Sequence, residues 1–173
     1  MLSEICQGKS LPQVVKHITQ EKINLYAEAS GDFNPIHVDE SFAAGTPLGG
    51  TIAHGMLILA YVSEMMALAF GQSWFSGGKL SARFKTPARP GDTVTVSGKI
   101  DSIEHKNGIS YANCSLECCN QKDETIVVGG AVVRLVNNIP FCHPDPEPFA
   151  SCHCERSEAI SFALRVNSVK GSE

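Results

Sequence analysis

Residues 56–70 read MLILAYVSEMMALAF and are apolar on nearly every side. A helix of this kind is either a membrane span or the centre of a protein core. A span needs about 20 apolar residues, whereas this run is shorter and is interrupted by Ser63 and Glu64. The sequence therefore predicts a helix buried in a soluble core and no membrane partner. Met56, Met65 and Met66 are expected to fill space in that core.

Three segments after this helix are rich in β-branched residues and predict long antiparallel strands. They cover residues 79–104, 109–119 and 124–136, with turns at ARPGD and KNG. In the middle segment the side chains alternate, which predicts one covered face and one wetter face. The predicted covered face consists of Ala112, Cys114, Leu116 and Cys118, and the wetter face of Tyr111, Asn113, Ser115 and Glu117. Because 56–70 is the only long apolar helix in the sequence, the sheet is expected to wrap around it.

The N-terminal part predicts a short extended run over 14–18, followed by one helix. Thr19 is a plausible N-cap, and Gly31 stands where a left-handed C-terminal residue is favoured, so the helix is expected to end near Ser30. In the next segment, 31–40, Gly, Asp, Asn and Pro crowd together, which predicts a loop without helix. Gly129 and Gly130 lack a following helix and therefore predict a bulged strand rather than a phosphate-binding loop.

Composition and charge narrow the class of protein. The chain has 173 residues, 14 Lys and Arg against 18 Asp and Glu, and a net charge of -4. A nucleic-acid partner is not expected, because a phosphate backbone prefers a basic face. The first 13 residues contain an acid and no apolar core, which predicts no signal or transit peptide and a cytoplasmic location. The seven cysteines are an odd number and are interpreted as small buried hydrophobes without disulfides.

The C-terminal segment differs in character from the rest. From about residue 138 it has spaced prolines, mixed charges and no sustained period, so we predict a domain over 1–137 and a flexible, non-catalytic tail over 138–173. The tail contains five potential zinc ligands, but their spacing fits no common structural zinc pattern, and no metal site is predicted. These residues are Cys142, His143, Cys152, His153 and Cys154.

Asp32 and His37 form the first candidate catalytic constellation. They are five residues apart across the Asn34-Pro35 turn, which would let a carboxylate and an imidazole converge on one water. Together they can act as general base and acid at neutral pH, with Asn34 and the turn orienting them. The structural alternative is that Asp32 caps a turn, Asn34 makes an Asx turn and His37 is an ordinary surface histidine.

Gly55 forms the second candidate, at the start of the apolar helix. Free backbone N–H groups and the positive end of the helix dipole coincide there. Since Gly55 has no side chain, a substrate carbonyl can approach its amide and a developing oxyanion can be stabilised. The structural alternative is that Gly55 allows tight helix packing, while Thr51 or His54 only caps the helix.

Two segments, SGDFNPIHVDESFAA (30–44) and GGTIAHGMLILAYVS (49–63), carry a resemblance to a known family. They are similar to the signature of MaoC-like, (R)-specific enoyl-CoA hydratases of the hot-dog superfamily. The resemblance continues through RFKTPARPGDTVTVSGKI (83–100) and covers about residues 10–136. It implies an α+β hot-dog fold, in which a curled antiparallel sheet wraps around one central helix, and a homodimer or higher homo-oligomer.

The resemblance also implies roles for individual residues. Asp32 and His37 match the catalytic pair, and Gly55 matches the glycine whose N–H polarises a thioester carbonyl. Asn34 and Ser63 are expected beside the substrate. Water would add to C3 of a trans-2-enoyl thioester while a proton reaches C2 on the same face, giving an (R)-3-hydroxyacyl thioester. No metal or redox cofactor is implied.

Further residues have alternative interpretations. Arg83 and Lys85 are expected to meet the phosphates of coenzyme A, although a solvated strand face explains them equally well. Glu64 invites comparison with acyl-carrier-protein dehydratases of the same superfamily, but its distance from Gly55 favours a solvent-facing or structural role. Two functional alternatives remain open: another acyl-thioester dehydratase or thioesterase of the same fold, and a non-catalytic acyl-CoA-binding module.

Overall fold

The computed structural model describes residues 5–136, which form a five-stranded antiparallel sheet with helices. The strand order is β1-β3-β4-β5-β2. The predicted tail and its potential zinc ligands lie outside the described residues. In chain order, the elements are β1 (Val14–His17), α1 (Gln20–Ser30), α2 (Pro35–Val38), α3 (Glu40–Ala44), α4 (Gly55–Phe70), α5 (Gln72–Gly77), β2 (Lys79–Phe84), β3 (Thr93–Lys106), β4 (Ile109–Cys119) and β5 (Thr125–Leu135).

Helix α4 packs in the hydrophobic core, as predicted. Met65 and Met66 are fully buried, and within residues 5–136 no helix is long and apolar enough to cross a bilayer. The prediction for Met56 was wrong: it is 61% exposed, since it lies on the solvent side of the first helical turn. Glu64 is on the outer side of the helix, where its carboxylate is 2.8 Å from Nζ of Lys16 in an exposed ion pair.

The two faces of β4 match the prediction. The side chains expected on the covered face are buried and those expected on the wetter face are partly or fully exposed. Gly129 and Gly130 lie within regular pairing of β5, while the register shift between β4 and β5 occurs at Cys118 and Cys119, so the predicted bulge was misplaced. A Cβ on Gly129 would lie 2.3 Å from the carbonyl oxygen of Ser81, so close backbone approach explains this glycine.

Helix α1 has the predicted limits, but the next segment differs from the prediction. Thr19 accepts a hydrogen bond from the amide of Lys22, and Gly31 ends the helix with φ of 74°. The segment predicted as a loop contains the short helix α2 and the first residue of α3. Asn34 caps α2 and Pro35 occupies its first turn. The prediction was wrong because an Asn-Pro pair, which breaks a preceding helix, is also a favourable start for a new one.

The cysteines among the described residues are free thiols at positions 6, 114, 118 and 119. Burial raises the pKa of Cys114 and of Cys118 to about 12. Both thiols are therefore protonated and unreactive at neutral pH, and they serve as small apolar groups in the core.

Candidate active site

His37 lies in α2 and has a fixed tautomer. Its Nδ1 is 2.8 Å from the carbonyl oxygen of Ile52. Because a carbonyl can only accept a hydrogen bond, Nδ1 must carry the proton, and Nε2 of the neutral ring keeps its lone pair. The side chain is 8% exposed, so His37 is not an ordinary surface histidine. This arrangement leaves Nε2 available as a base.

Asp32 lies beside His37, in the turn that follows α1. Its Oδ1 accepts a hydrogen bond from the amide of Asn34, which fixes the carboxylate locally. Ligand-type atoms of Asp32, His37 and His54 all lie within 4.8 Å of one another. One water with two hydrogen bonds can bridge atoms up to about 5.5 Å apart. The carboxylate and the imidazole are thus within reach of a single bridging water.

His54 is the third member of this cluster, and the sequence analysis assigned it no catalytic role. Its Nε2 donates to the backbone carbonyl of Asp32 at 2.9 Å and lies 4.0 Å from Oδ2 of the same residue. Its ring lies 3.8 Å from the ring of His37, centroid to centroid. The side chain does not cap α4, and the hydroxyl of Thr51 donates to Gln20 instead, so neither capping alternative holds. The one signal in the sequence is the position of His54 directly before Gly55.

A hydrogen-bond network connects the turn of His37 to the segment before α4. The side-chain amide of Gln20 donates to the carbonyl of His37 at 2.8 Å and accepts from the hydroxyl of Thr51 at 2.8 Å. The amide of Thr51 donates to Glu40 at 2.9 Å, and this bond lowers the pKa of the Glu40 carboxyl. Gln20 is at the start of α1, so this helix joins α2, which carries His37, to the segment before α4, which carries Thr51.

Gly55 begins α4, and its amide belongs to the first four N–H groups that have no partner within the helix. His37 and Gly55 line the same cavity of about 300 Å³. A Cβ on Gly55 would lie 3.0 Å from the ring of Phe84, so a larger residue here would displace that ring. A larger cavity of about 570 Å³ involves none of the predicted site residues. The smaller cavity is lined by His37, Ile52, Ala53, Gly55, Ile58, Phe84, Lys85, Thr86, Pro87, Ala88 and Ile126.

The predicted substrate-binding residues lie in different places. Lys85 lines the cavity, whereas Arg83 is exposed on β2 and is not part of its lining. Asn34 is exposed, and its Oδ1 accepts a hydrogen bond from the amide of Ile36. The hydroxyl of Ser63 accepts a hydrogen bond from the indole of Trp74 at 2.9 Å, outside this cavity. Contacts of these residues with a substrate stay predictions.

The cluster of Asp32, His37 and His54 also has the composition of a metal site. The hydrogen bonds argue against that use. Nε2 of His54 must carry a proton to donate to the carbonyl of Asp32, so only the buried Nδ1 of this ring has a lone pair for a metal. Nδ1 of His37 is likewise protonated and bound to the carbonyl of Ile52, so a backbone carbonyl engages one nitrogen of each ring. Acid–base chemistry therefore fits the cluster better than metal binding.

Comparisons with known proteins identify the family of the chain. The model of the MaoC like domain matches residues 5–115. A 3-hydroxybutyryl-CoA dehydratase of Methylorubrum extorquens is 30% identical over 120 residues, 69% of this chain and 74% of that protein. An (R)-specific enoyl-CoA hydratase of Rhodospirillum rubrum is 30% identical over 133 residues, 76% of this chain and 89% of that protein.

A solved structure gives the same result for the fold. The (R)-hydratase from A. caviae involved in PHA biosynthesis has a TM-score of 0.65 and 28% identity, covering 76% of this chain and 98% of that chain. The sheet wrapped around α4 is thus the hot-dog fold that the resemblance implied. With the family model spanning most of the described residues, the chain belongs to the MaoC-like domain family.

Proposed function

We propose that the protein is a hydro-lyase that adds water to trans-2-enoyl-CoA to give (R)-3-hydroxyacyl-CoA, or catalyses the reverse dehydration. The observation that carries the proposal is the tautomer of His37, whose Nε2 is left free, in a residue that has a ring nitrogen within 4.8 Å of the Asp32 carboxylate. The cavity that His37 shares with the Gly55 amide supports it. The names of the two relatives, a dehydratase and a hydratase of CoA thioesters, support the reaction class.

The geometry supports a separate role in the reaction for each of these groups. Asp32 accepts a hydrogen bond from the bound water and orients it, while Nε2 of His37 takes one of its protons. The hydroxyl adds to C3, and the negative charge that develops on the thioester oxygen is stabilised by the amide of Gly55. C2 then takes the proton held on Nε2 of His37 from the same side, which returns His37 to its starting form. These steps use acid–base groups and one backbone donor.

The test is to mix the purified protein with crotonyl-CoA and follow the enoyl absorbance. Loss of this absorbance with formation of 3-hydroxybutyryl-CoA supports the proposal. Release of free thiol instead identifies a thioesterase. A raised melting temperature with acyl-CoA but no turnover identifies a binding module, the alternative against which the complete Asp32 and His37 pair argues.

Replacement of Gly55 by Ala tests the role of the amide. The added Cβ would lie 3.0 Å from the Phe84 ring, so the ring must move and a carbonyl can no longer approach the amide closely. We expect kcat to fall by about 10- to 100-fold, with little loss of thermal stability because Ala favours helix. The matched control is Gly45→Ala, whose Cβ would meet its nearest neighbour at 3.4 Å. Full activity of Gly55→Ala would show that the Gly55 amide does not stabilise the charge on the thioester oxygen.

We propose, in addition, that the enzyme works as a cytoplasmic homodimer without a cofactor. Strand β2 is at the edge of the sheet, and Phe84 at its end is 50% exposed although it touches Gly55. A second copy that pairs with β2 would cover this ring and close one side of the cavity. Sedimentation analysis of the purified protein distinguishes a dimer from a monomer.

A further inference from the structure

His54 contacts both members of the catalytic pair but takes no part in the proposed proton transfers. Its Nε2 donates to the main-chain carbonyl of Asp32, and its ring packs on the ring of His37. On its other side the ring of Tyr26 lies 4.9 Å away. His54 therefore connects the Asp32 turn, the His37 helix and the start of α4, with only 2% of its surface exposed.

The remaining ring nitrogen of His54 is unusual. Nδ1 is buried and makes no hydrogen bond within residues 5–136. Because the Asp32 carbonyl requires the proton on Nε2, Nδ1 is an unpaired acceptor in the neutral ring. A buried acceptor without a partner destabilises the folded state. An apolar side chain would avoid that cost, so stability alone does not explain histidine here.

The Asp32 turn has little else to hold it in place. The Asp32 side chain is 54% exposed. Within the part of the chain that the structure describes, its side chain and amide make hydrogen bonds only to nearby residues, the amide of Asn34 and the hydroxyl of Ser30. The hydrogen bond from His54 joins this turn to α4, 22 residues further along the chain. Without it, the carboxylate would be free to move relative to Nε2 of His37, which is anchored separately through Ile52.

We infer that His54 is a positioning residue, which holds the carboxylate of Asp32 and the imidazole of His37 at the separation that one water can bridge. The inference rests on the proposed function. It assigns His54 no proton transfer: the Nε2 proton stays on the hydrogen bond to the carbonyl of Asp32.

Two variants separate positioning from simple structural support. His54→Gln keeps an amide donor at about the reach of Nε2, whereas His54→Phe keeps a flat ring against His37 but has no donor. We expect His54→Phe to lower kcat for crotonyl-CoA hydration by about 100-fold, the effect of a displacement of about 1 Å in a catalytic group. KM should change by less than about threefold and the melting temperature should stay close to wild type, since the unpaired Nδ1 is also removed. His54→Gln should recover about tenfold of the lost kcat.

Unchanged kcat in His54→Phe would overturn the inference, and so would a loss that His54→Gln does not relieve. A loss of kcat that only parallels a large fall in melting temperature in both variants would also overturn it, since that is the result of structural support alone.

A measurement without substrate keeps this test separate from the proposed function. Nitrogen-15 NMR of the histidine rings in the wild-type protein should show His54 as the Nε2–H tautomer and His37 as the Nδ1–H tautomer. The opposite tautomer at His54 would contradict the inference whether or not the protein hydrates crotonyl-CoA. If both tautomers are as expected but the wild type has no hydratase activity, the proposed function fails while the arrangement of His54 stands.

Discussion

Replacement of Asp32 by Asn is expected to lower kcat for hydration of crotonyl-CoA by about 10³-fold. Asn has nearly the same shape, and its side-chain oxygen can still accept the hydrogen bond from the amide of Asn34. What is lost is the negative charge that orients the water and favours a positively charged His37 in the transition state. Because Asp32 is half-exposed, thermal stability should stay near that of the wild type.

The matched control is Asp101→Asn, on β3, where the carboxylate accepts a hydrogen bond from the hydroxyl of Ser115. This variant should keep full activity. Steady-state kinetics and thermal melts of the three proteins are the measurement. If Asp32→Asn retains more than about a tenth of the wild-type kcat, the carboxylate has no direct part in the reaction.

Replacement of His37 by Asn is expected to reduce kcat by a similar factor, about 10³-fold. The amide nitrogen of Asn can take the place of Nδ1 and donate to the carbonyl of Ile52, so α2 should keep its position. There is then no atom at the place of Nε2, and the water loses its base.

The control for this variant is His17→Asn. His17 is an exposed histidine in β1, with Nδ1 3.3 Å from the hydroxyl of Thr93. The His17→Asn variant should have wild-type activity. Circular dichroism of the His37→Asn variant should show an intact fold. Substantial hydration by His37→Asn would mean that another group accepts the proton.

Local sequence patterns were sufficient for the main elements. The apolar run of α4 and the alternation on β4 each follow from the burial of a single helix or strand. The α1 caps depend on residues within one helical turn of each other. The pairing of Asp32 with His37 could be predicted for the same reason, because one short turn brings the two residues together. The resemblance identified the predicted arrangement of sheet and helix as a hot-dog fold.

The features that the sequence did not reveal depend on contacts between distant segments. His54 is 22 residues from Asp32, and only the packing of α4 against the turn brings its ring onto His37. Ser63 lies on the central helix as expected, but Trp74 from α5 occupies its hydroxyl. Which side of the first turn of α4 faces the core depends on the rotation of this helix about its own axis. In the structure this rotation leaves Met56 exposed.

The two histidines of the site also show how backbone carbonyls set protonation. Ile52 fixes the proton of His37 on Nδ1, and Asp32 fixes that of His54 on Nε2. The two neighbouring imidazoles therefore have opposite tautomers, and of the two residues only His37 lines the cavity that Gly55 lines. The proposed roles of His37 as the base and of His54 as the positioning residue rest on this difference.

The stereochemistry of hydration tests the central claim most directly. If one water between Asp32 and His37 supplies the hydroxyl and the same side of the site returns a proton to C2, crotonyl-CoA in D2O must give (R)-3-hydroxybutyryl-CoA with hydroxyl and deuterium added to the same face. Chiral analysis of the product combined with NMR at C2 measures both centres. An (S) or racemic alcohol, or deuterium on the opposite face, would contradict the account.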